Sequence, residues 1–573
     1  MVVGGAVGGA SVLEALRFLA RRAALGTADW LVTQRFLRWT WSASSGEEIV
    51  GALGEFRPTD RETVIEMTAG RYLLASRLVD THGFSPFSMD EVDREWSDEL
   101  RGFSWLRHFA DGGEATERAF ARNLVLDWIA REGRFDPDSW APAVCARRVL
   151  NWLRCVNLLI GGADEDQART ITRSLGMQVQ SLKVRGVLTA DPVDKLYVAI
   201  ALAGVAICDE RRNSQLPLRM RRLMRQLEKA IDADGLHRSR SAKQQLPLLV
   251  ELETLLQALN GDHEEHARDL AVVVEDMHRA LDAVSLSTGE PAYFNGTGQL
   301  QHDLIVAVQV QSTARFRSTG TSGGYGRLLG GKSTVIADSG LVPPLPYAGE
   351  AHASALAFEF SYGPELVVGN CGPAPSDLEE NGLIFRQGIT HSAITINGVS
   401  AARLKDGGLL SGRLRRRGPV PELFASADQD TVVVRTDAYL KRYGVSIERR
   451  LMLMAEGKSL VGQDRLIGGR EGNRKHPNAA IARFHLALGT TVEPGADDVL
   501  RLRLASGAIW TFLWEGADMR IEDSVRQSSY FGFHRIKQIV LETPLGGDQE
   551  IAWIFTLDET RRGTPARLRG RQR

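Results

Sequence analysis

The sequence predicts an all-helical half followed by an all-β half, and three observations predict it. At 573 residues the chain is too long for one ordinary core and allows two to four domains of roughly 150 residues. From about residue 45 to 285 apolar residues recur at helical spacing. After "LSTGEPAYFNGTGQLQ", clusters such as "STGTSGGYGRLLGG" and "DSGLVPPLPYAGE" punctuate short alternating runs instead.

The chain opens with "MVVGGAVGGASVLEALRFLARRAALG", which carries Glu14 in its apolar part and Arg17, Arg21 and Arg22 after it. A signal peptide would put its basic residues first, so residues 1–45 are expected to hold an amphipathic surface helix. No run of about 18 apolar residues exists, and no membrane span is expected. In "RRVLNWLRCVNLLI", Val149, Leu153, Val156 and Ile160 fall at spacings of four, three and four, one face of a helix that should be buried. "TADPVDKLYVAIALAGVAI" places Asp191 as an N-cap and Pro192 at the first helical position, where a missing N–H costs nothing. Further helices are expected over 219–233, 245–259 and 264–286.

In the second half, "ALAFEFSYG", "ELVVGN", "SAITING", "TVVVRTDAYL", "GVSIERRLMLM", "IARFHLALG" and "IKQIVLETP" read as strands of an antiparallel sandwich. The arginine-rich 561–573 is expected to be a disordered tail. The formal net charge of −1 removes any bulk electrostatic case for nucleic acid. Four cysteines without a CxxC pair argue against a disulfide framework or a zinc cluster.

"HASALAFEFSYG", "LVVGNCG" and "FRQGITHSAITING", behind a helical half, resemble the heparinase II/III family of polysaccharide lyases. The resemblance implies an incomplete α/α toroid over 46–285 and an antiparallel β-sandwich over 286–560, with the substrate cleft between them. It implies β-elimination on an acidic, uronate-containing polysaccharide and work in the periplasm, whereas the missing export signal would leave the protein in the cytoplasm. A homodimer is compatible with it.

Such a reaction needs a base, an acid at the leaving oxygen and a group that neutralises the uronate carboxylate. His352 and His391 match the family's sandwich histidines and are assigned proton transfer. If "HASALAFEF" is one extended strand, His352 ends the row of Leu356, Phe358 and Phe360, while His391 has the opposite parity to Ile394 and Ile396. Asn370 ends the row of Leu366 and Val368 and is assigned substrate positioning. Metal-binding relatives keep an aspartate there, so a zinc site on His352, Asn370 and His391 is expected to be weakened or absent, and no other cofactor is expected.

The family's toroid Asn-His pair and tyrosine have no counterpart. In "DADGLHRSRSAKQQLP", His237, Arg238 and Arg240 stand where the tyrosine is expected, and either arginine could fork onto a carboxylate. Tyr325, beside Arg327 in "GGYGRLLGG", is the suggested replacement proton donor, and Arg327 and Arg386 are further substrate-binding candidates. The missing residues also favour a second function: a glycan-binding or envelope-assembly protein that keeps the fold without the chemistry. A hydrolase using Asp191, Asp194 or Glu210 ranks below both.

Overall fold

The computed structural model describes residues 12–33, 51–89, 93–110, 113–259, 263–374, 382–405, 411–473, 476–495, 499–528 and 532–559. The basic tail lies outside them. A first helix, Val12–Thr33, precedes a helical domain that closes with Glu264–Ala283, and the strands that follow run from Gly320–Ser322 to Gln549–Leu557.

Helix starts follow local chemistry. Asp191 accepts from the amides of Val193 and Asp194, with Pro192 in the first turn of Pro192–Cys208. Asp164 and Gln167 form a reciprocal capping box for Glu165–Leu188. The "RRVLNWLRCVNLLI" run divides, because Pro142–Arg154 ends at Cys155 (φ −100°, ψ 22°) and Val156–Ile160 begins afresh. Val149 and Leu153 are buried as expected, while Val156 and Ile160 are half-buried. Trp96, Trp105, Trp128, Trp140 and Trp152 fill this core. A small hairpin, Arg71–Leu74 with Arg77–Asp80, also stands among the helices. Four-residue strands are too short to leave a period-two signal.

The second half stacks an eight-stranded on a nine-stranded antiparallel sheet around one apolar core. Arg449, on Val445–Met454, forks onto Asp464 of the neighbouring strand at 2.6 and 2.8 Å. It also donates to the carbonyls of Leu356 (2.7 Å) and Ser392 (3.0 Å), so one fully buried cation fixes two loops on the opposite sheet. All four cysteines are buried and free.

Candidate functional site

His352 does not begin a strand. The chain from Ala351 to Ala357 is irregular, with Leu356 in the left-handed region (φ 65°), and the strand starts only at Phe358. Long-range hydrogen bonds shape this loop: the His352 amide donates to Asn295 Oδ1 (3.0 Å) and the Ala353 amide to the Arg386 carbonyl (2.8 Å). Arg386 in turn donates to the Ala351 carbonyl at 2.8 Å and is spent on the loop's shape.

The loop brings His352 onto His391, Nδ1 to Nε2, at 3.0 Å. His391 Nδ1 lies 2.8 Å from the Gln387 carbonyl and must donate to it. Its Nε2 therefore accepts, His352 Nδ1 carries the donated proton, and the remaining lone pair sits on His352 Nε2. Burial holds both rings neutral: it pushes His391 down to about 4 and, helped by the His391 ring beside it, His352 well below the usual imidazole value.

Asn370 is fully enclosed. Its Oδ1 accepts from the Ser392 amide (2.8 Å), its Nδ2 donates to the Tyr293 carbonyl (3.3 Å), and its own amide donates to Glu359 (2.7 Å). Beneath it, Arg526 caps the Tyr293 ring at 4.0 Å and faces Glu359 at 3.4 Å. An asparagine suits this position because it must donate on one side and accept on the other. A carboxylate would meet the Tyr293 carbonyl with no proton to give.

Tyr325 is not paired with Arg327. Its hydroxyl donates to the Arg240 carbonyl and accepts from Asn295, both at 2.6 Å, and burial pushes its pKa far above that of an ordinary phenol, so it holds its proton. Arg327, two residues on, ties down the carbonyls of Ala283 and Ser285 where the helix Glu264–Ala283 ends. The cation on the Tyr325 ring is Arg240, 4.2 Å from its centroid. Arg240 donates to the carbonyls of Gly323, Gly324 and Leu341 and to Asp338 (2.7 Å), joining the helical domain to the sandwich. Gly324 has φ 81°, and a Cβ there would press on the guanidinium at 3.0 Å, so both backbone and packing require glycine.

His237 is buried against Tyr347 with its Nδ1 2.7 Å from Ser239, whereas the Arg238 side chain is half-buried. His485 contacts Ser524 (2.8 Å) and Cys371 (3.6 Å) inside the sandwich. The structure thus joins His352, His391, Tyr325, Arg240 and Arg386 through shared partners, with Asn370 meeting them at Ser392, next to His391. His237 touches the set only through its carbonyl, which accepts from the Arg240 amide at 2.7 Å, and Arg238 and Arg327 stand apart.

Sequence reasoning missed Asn295, which bridges Tyr325 to His352 from the "NG" turn in "YFNGTG" (φ 49°). It also missed the groups on the helical side. Lys243 stands between Glu95 (3.7 Å) and Glu350 (3.6 Å). Arg147 lies over the Tyr197 ring at 4.7 Å. Asp194, named from the sequence with Asp191, is pushed up to about 7 by burial and by Asp191. The contacts of Lys243 and of Arg147 with Tyr197 combine elements far apart in sequence, so no local spacing announces them.

The zinc expectation can be tested on the donor set. Two imidazole nitrogens face one another, but the Asn370 oxygen is taken by an amide, and among the described residues no third histidine, cysteine or acid converges on them. A zinc site takes three or four protein ligands, so these residues do not fit one.

A sequence profile of the heparinase II/III-like C-terminal domain matches residues 314–554. The sandwich half belongs to the heparinase II/III family. Solved structures extend the likeness to the whole fold. A heparinase III superposes with a TM-score of 0.64 at 10% identity, covering 83% of this chain and 79% of that one. A mutant of the heparan sulfate lyase HepC from Pedobacter heparinus gives 0.58 at 14% identity over 94% and 88%. The architecture is therefore the family's toroid followed by its β-sandwich, as the resemblance implied. Among curated proteins, FtsZ-localized protein C of Caulobacter vibrioides is 27% identical over 497 residues, covering 83% of this chain and 84% of the relative.

Proposed function

We propose that this protein is a lyase-fold, glycan-binding protein of envelope assembly that works alongside FtsZ without cleaving its glycan. The observation supporting this is the enclosure of the sandwich cluster. His352 is 3% exposed, His391 1%, Asn370 0% and Tyr325 3%, and the hydrogen bonds of Asn370 and the Tyr325 hydroxyl are spent on neighbouring protein groups. A base that cannot meet substrate and a tyrosine whose proton is committed do not perform an elimination. The likeness, over 83% of this chain, to a relative named for localising with FtsZ supports the assembly role.

The test is co-sedimentation of the purified protein with FtsZ polymers formed with nucleotide. The expected result is pelleting that depends on polymer and rises to saturation. Equal recovery with and without polymer would remove the FtsZ part of the reading.

Acidic-polysaccharide cleavage by β-elimination is the second reading, and one observation favours it. The His352–His391 pair leaves an unprotonated Nε2 on His352, the state a base requires.

A further inference from the structure

On the eight-stranded sheet alternate side chains turn away from the core, where an antiparallel sheet ordinarily presents polar residues to water. Along one band that rule fails. The register sets Met452 beside Val461, Val461 beside Ile554 and Ile554 beside Leu513, so four neighbouring strands each give one apolar side chain to a single row. Leu451, Leu460 and Phe555, one residue along their strands, are fully buried, so this row is the outward one. Val433 and Phe424, a directly opposed pair on the next two strands, carry the band to the sheet edge. Phe424 is 61% exposed, Leu513 41%, and Met454, beside the row, 54%.

A row of charges runs alongside the band on the same face. Glu422 opposes Arg435, Arg435 opposes Glu448, Glu448 opposes Arg465 and Arg465 opposes Glu550, so acid and base alternate from strand to strand. Glu448 and Arg465 are 3.4 Å apart. Such a row has no cationic excess to draw a polyanion.

We propose that this sheet face joins two copies of the chain in a two-fold dimer. Sheets packed face to face keep their strands within about 30° of one another. A two-fold axis along the strands, midway between Val445–Met454 and Ser459–Gly468, lays Met452 on Val461 of the second copy and Glu448 on Arg465 of the second copy. It also sets Arg435 against Glu550 of the second copy, and the central pair becomes a ring of four alternating charges. Moving the axis onto Val445–Met454 itself would set Glu448 on Glu448 and Arg435 on Arg465, so the charge row selects one register. The alternation is complementary to itself, and this favours a second copy over an unrelated chain. The area is sufficient: the strands from Glu422–Ser426 to Ile509–Glu515 span about 24 Å and Val445–Met454 runs about 34 Å, close to the roughly 800 Å² that each partner gives to a stable interface. The inference stands apart from the glycan and FtsZ readings and fails separately from them, although a dimer would offer a polymer two points of engagement.

The test is sedimentation velocity of the full-length protein over a concentration series. A monomer–dimer equilibrium is expected. Met452→Thr/Val461→Thr/Leu513→Thr, which keeps strand-compatible side chains but removes the apolar row, should raise the dissociation constant about tenfold or more. Glu448→Arg should do the same, and adding Arg465→Glu to it, which restores opposite charges across the axis, should recover most of the loss. The variants should keep the wild-type melting curve, because these side chains face outward in the single chain. A single species of monomer mass up to about 100 μM would overturn the proposal, as would a dimer that both the apolar variant and Glu448→Arg leave unchanged. So would a loss in Glu448→Arg that Arg465→Glu deepens, since opposed charges would then not set the register.

Discussion

Arg240→Ala is expected to cost about 3–5 kcal/mol of stability, the usual penalty for removing one partner of a buried ion pair. Arg240 is 4% exposed and Asp338 0%, so the abandoned carboxylate has little water to turn to. The loss is wider than one pair. The same guanidinium satisfies the carbonyls of Gly323, Gly324 and Leu341 and covers the Tyr325 ring, and its backbone carbonyl accepts the Tyr325 proton. Arg240 also holds φ at 59°, a conformation that its partners keep in place. Urea unfolding should show the lowered midpoint, and limited proteolysis should show faster cleavage between the helical domain and the sandwich. Arg240→Lys, which keeps the charge but loses the fork, should fall between the two. A change below about 1 kcal/mol in the alanine variant would mean that this contact does not join the domains.

The histidine pair should make the sandwich acid-sensitive. Burial lowers His391 to about 4 and His352 further, whereas in the unfolded chain both titrate near the ordinary value of about 6.5. Between those values the unfolded chain binds protons that the folded protein refuses. Stability from the pair is thus complete above pH of about 6.5 and falls as pH drops toward the folded values, at about 1.4 kcal/mol per pH unit for each ring. Asp194 works in the opposite direction, because its raised value of about 7 lets the folded state take a proton first. A His352→Gln/His391→Gln variant removes only the first contribution. Its stability deficit relative to wild type should therefore shrink as pH falls from 6.5 to 5, by up to about 3 kcal/mol per unit at the low end. A deficit that stays constant across that range would contradict neutral, buried imidazoles.

The two halves of the fold were legible because each repeats a local rule many times. Asp191 with Pro192 announced a helix start, and alternation in "GVSIERRLMLM" announced Val445–Met454. The candidate site was legible only as a set of residues. His352, Asn370 and His391 do cluster, but strand parity could not reveal that a non-strand loop delivers His352, since partners at Asn295 and Arg386 shape that loop. Tyr325 and Arg327 are neighbours in sequence and belong to different contacts. Arg240 was chosen as a carboxylate ligand, yet it binds carbonyls 83 and 101 residues away, and nothing in "HRSR" encodes such distant acceptors. Asn370 was the more informative sign. Its oxygen accepts from the Ser392 amide and its nitrogen donates to the Tyr293 carbonyl, a pattern that an amide side chain fits and a carboxylate does not.

The claim that the sandwich cluster is structural and the glycan is bound without cleavage faces its most direct test in one measurement. The protein is mixed with a panel of uronate polymers, and bound polymer, ultraviolet absorbance of unsaturated ends and reducing ends are followed together. Binding of at least one polymer with neither signal rising is the expected result. A rise in both signals that disappears in His352→Ala would contradict it and make His352 the catalytic base of a working lyase.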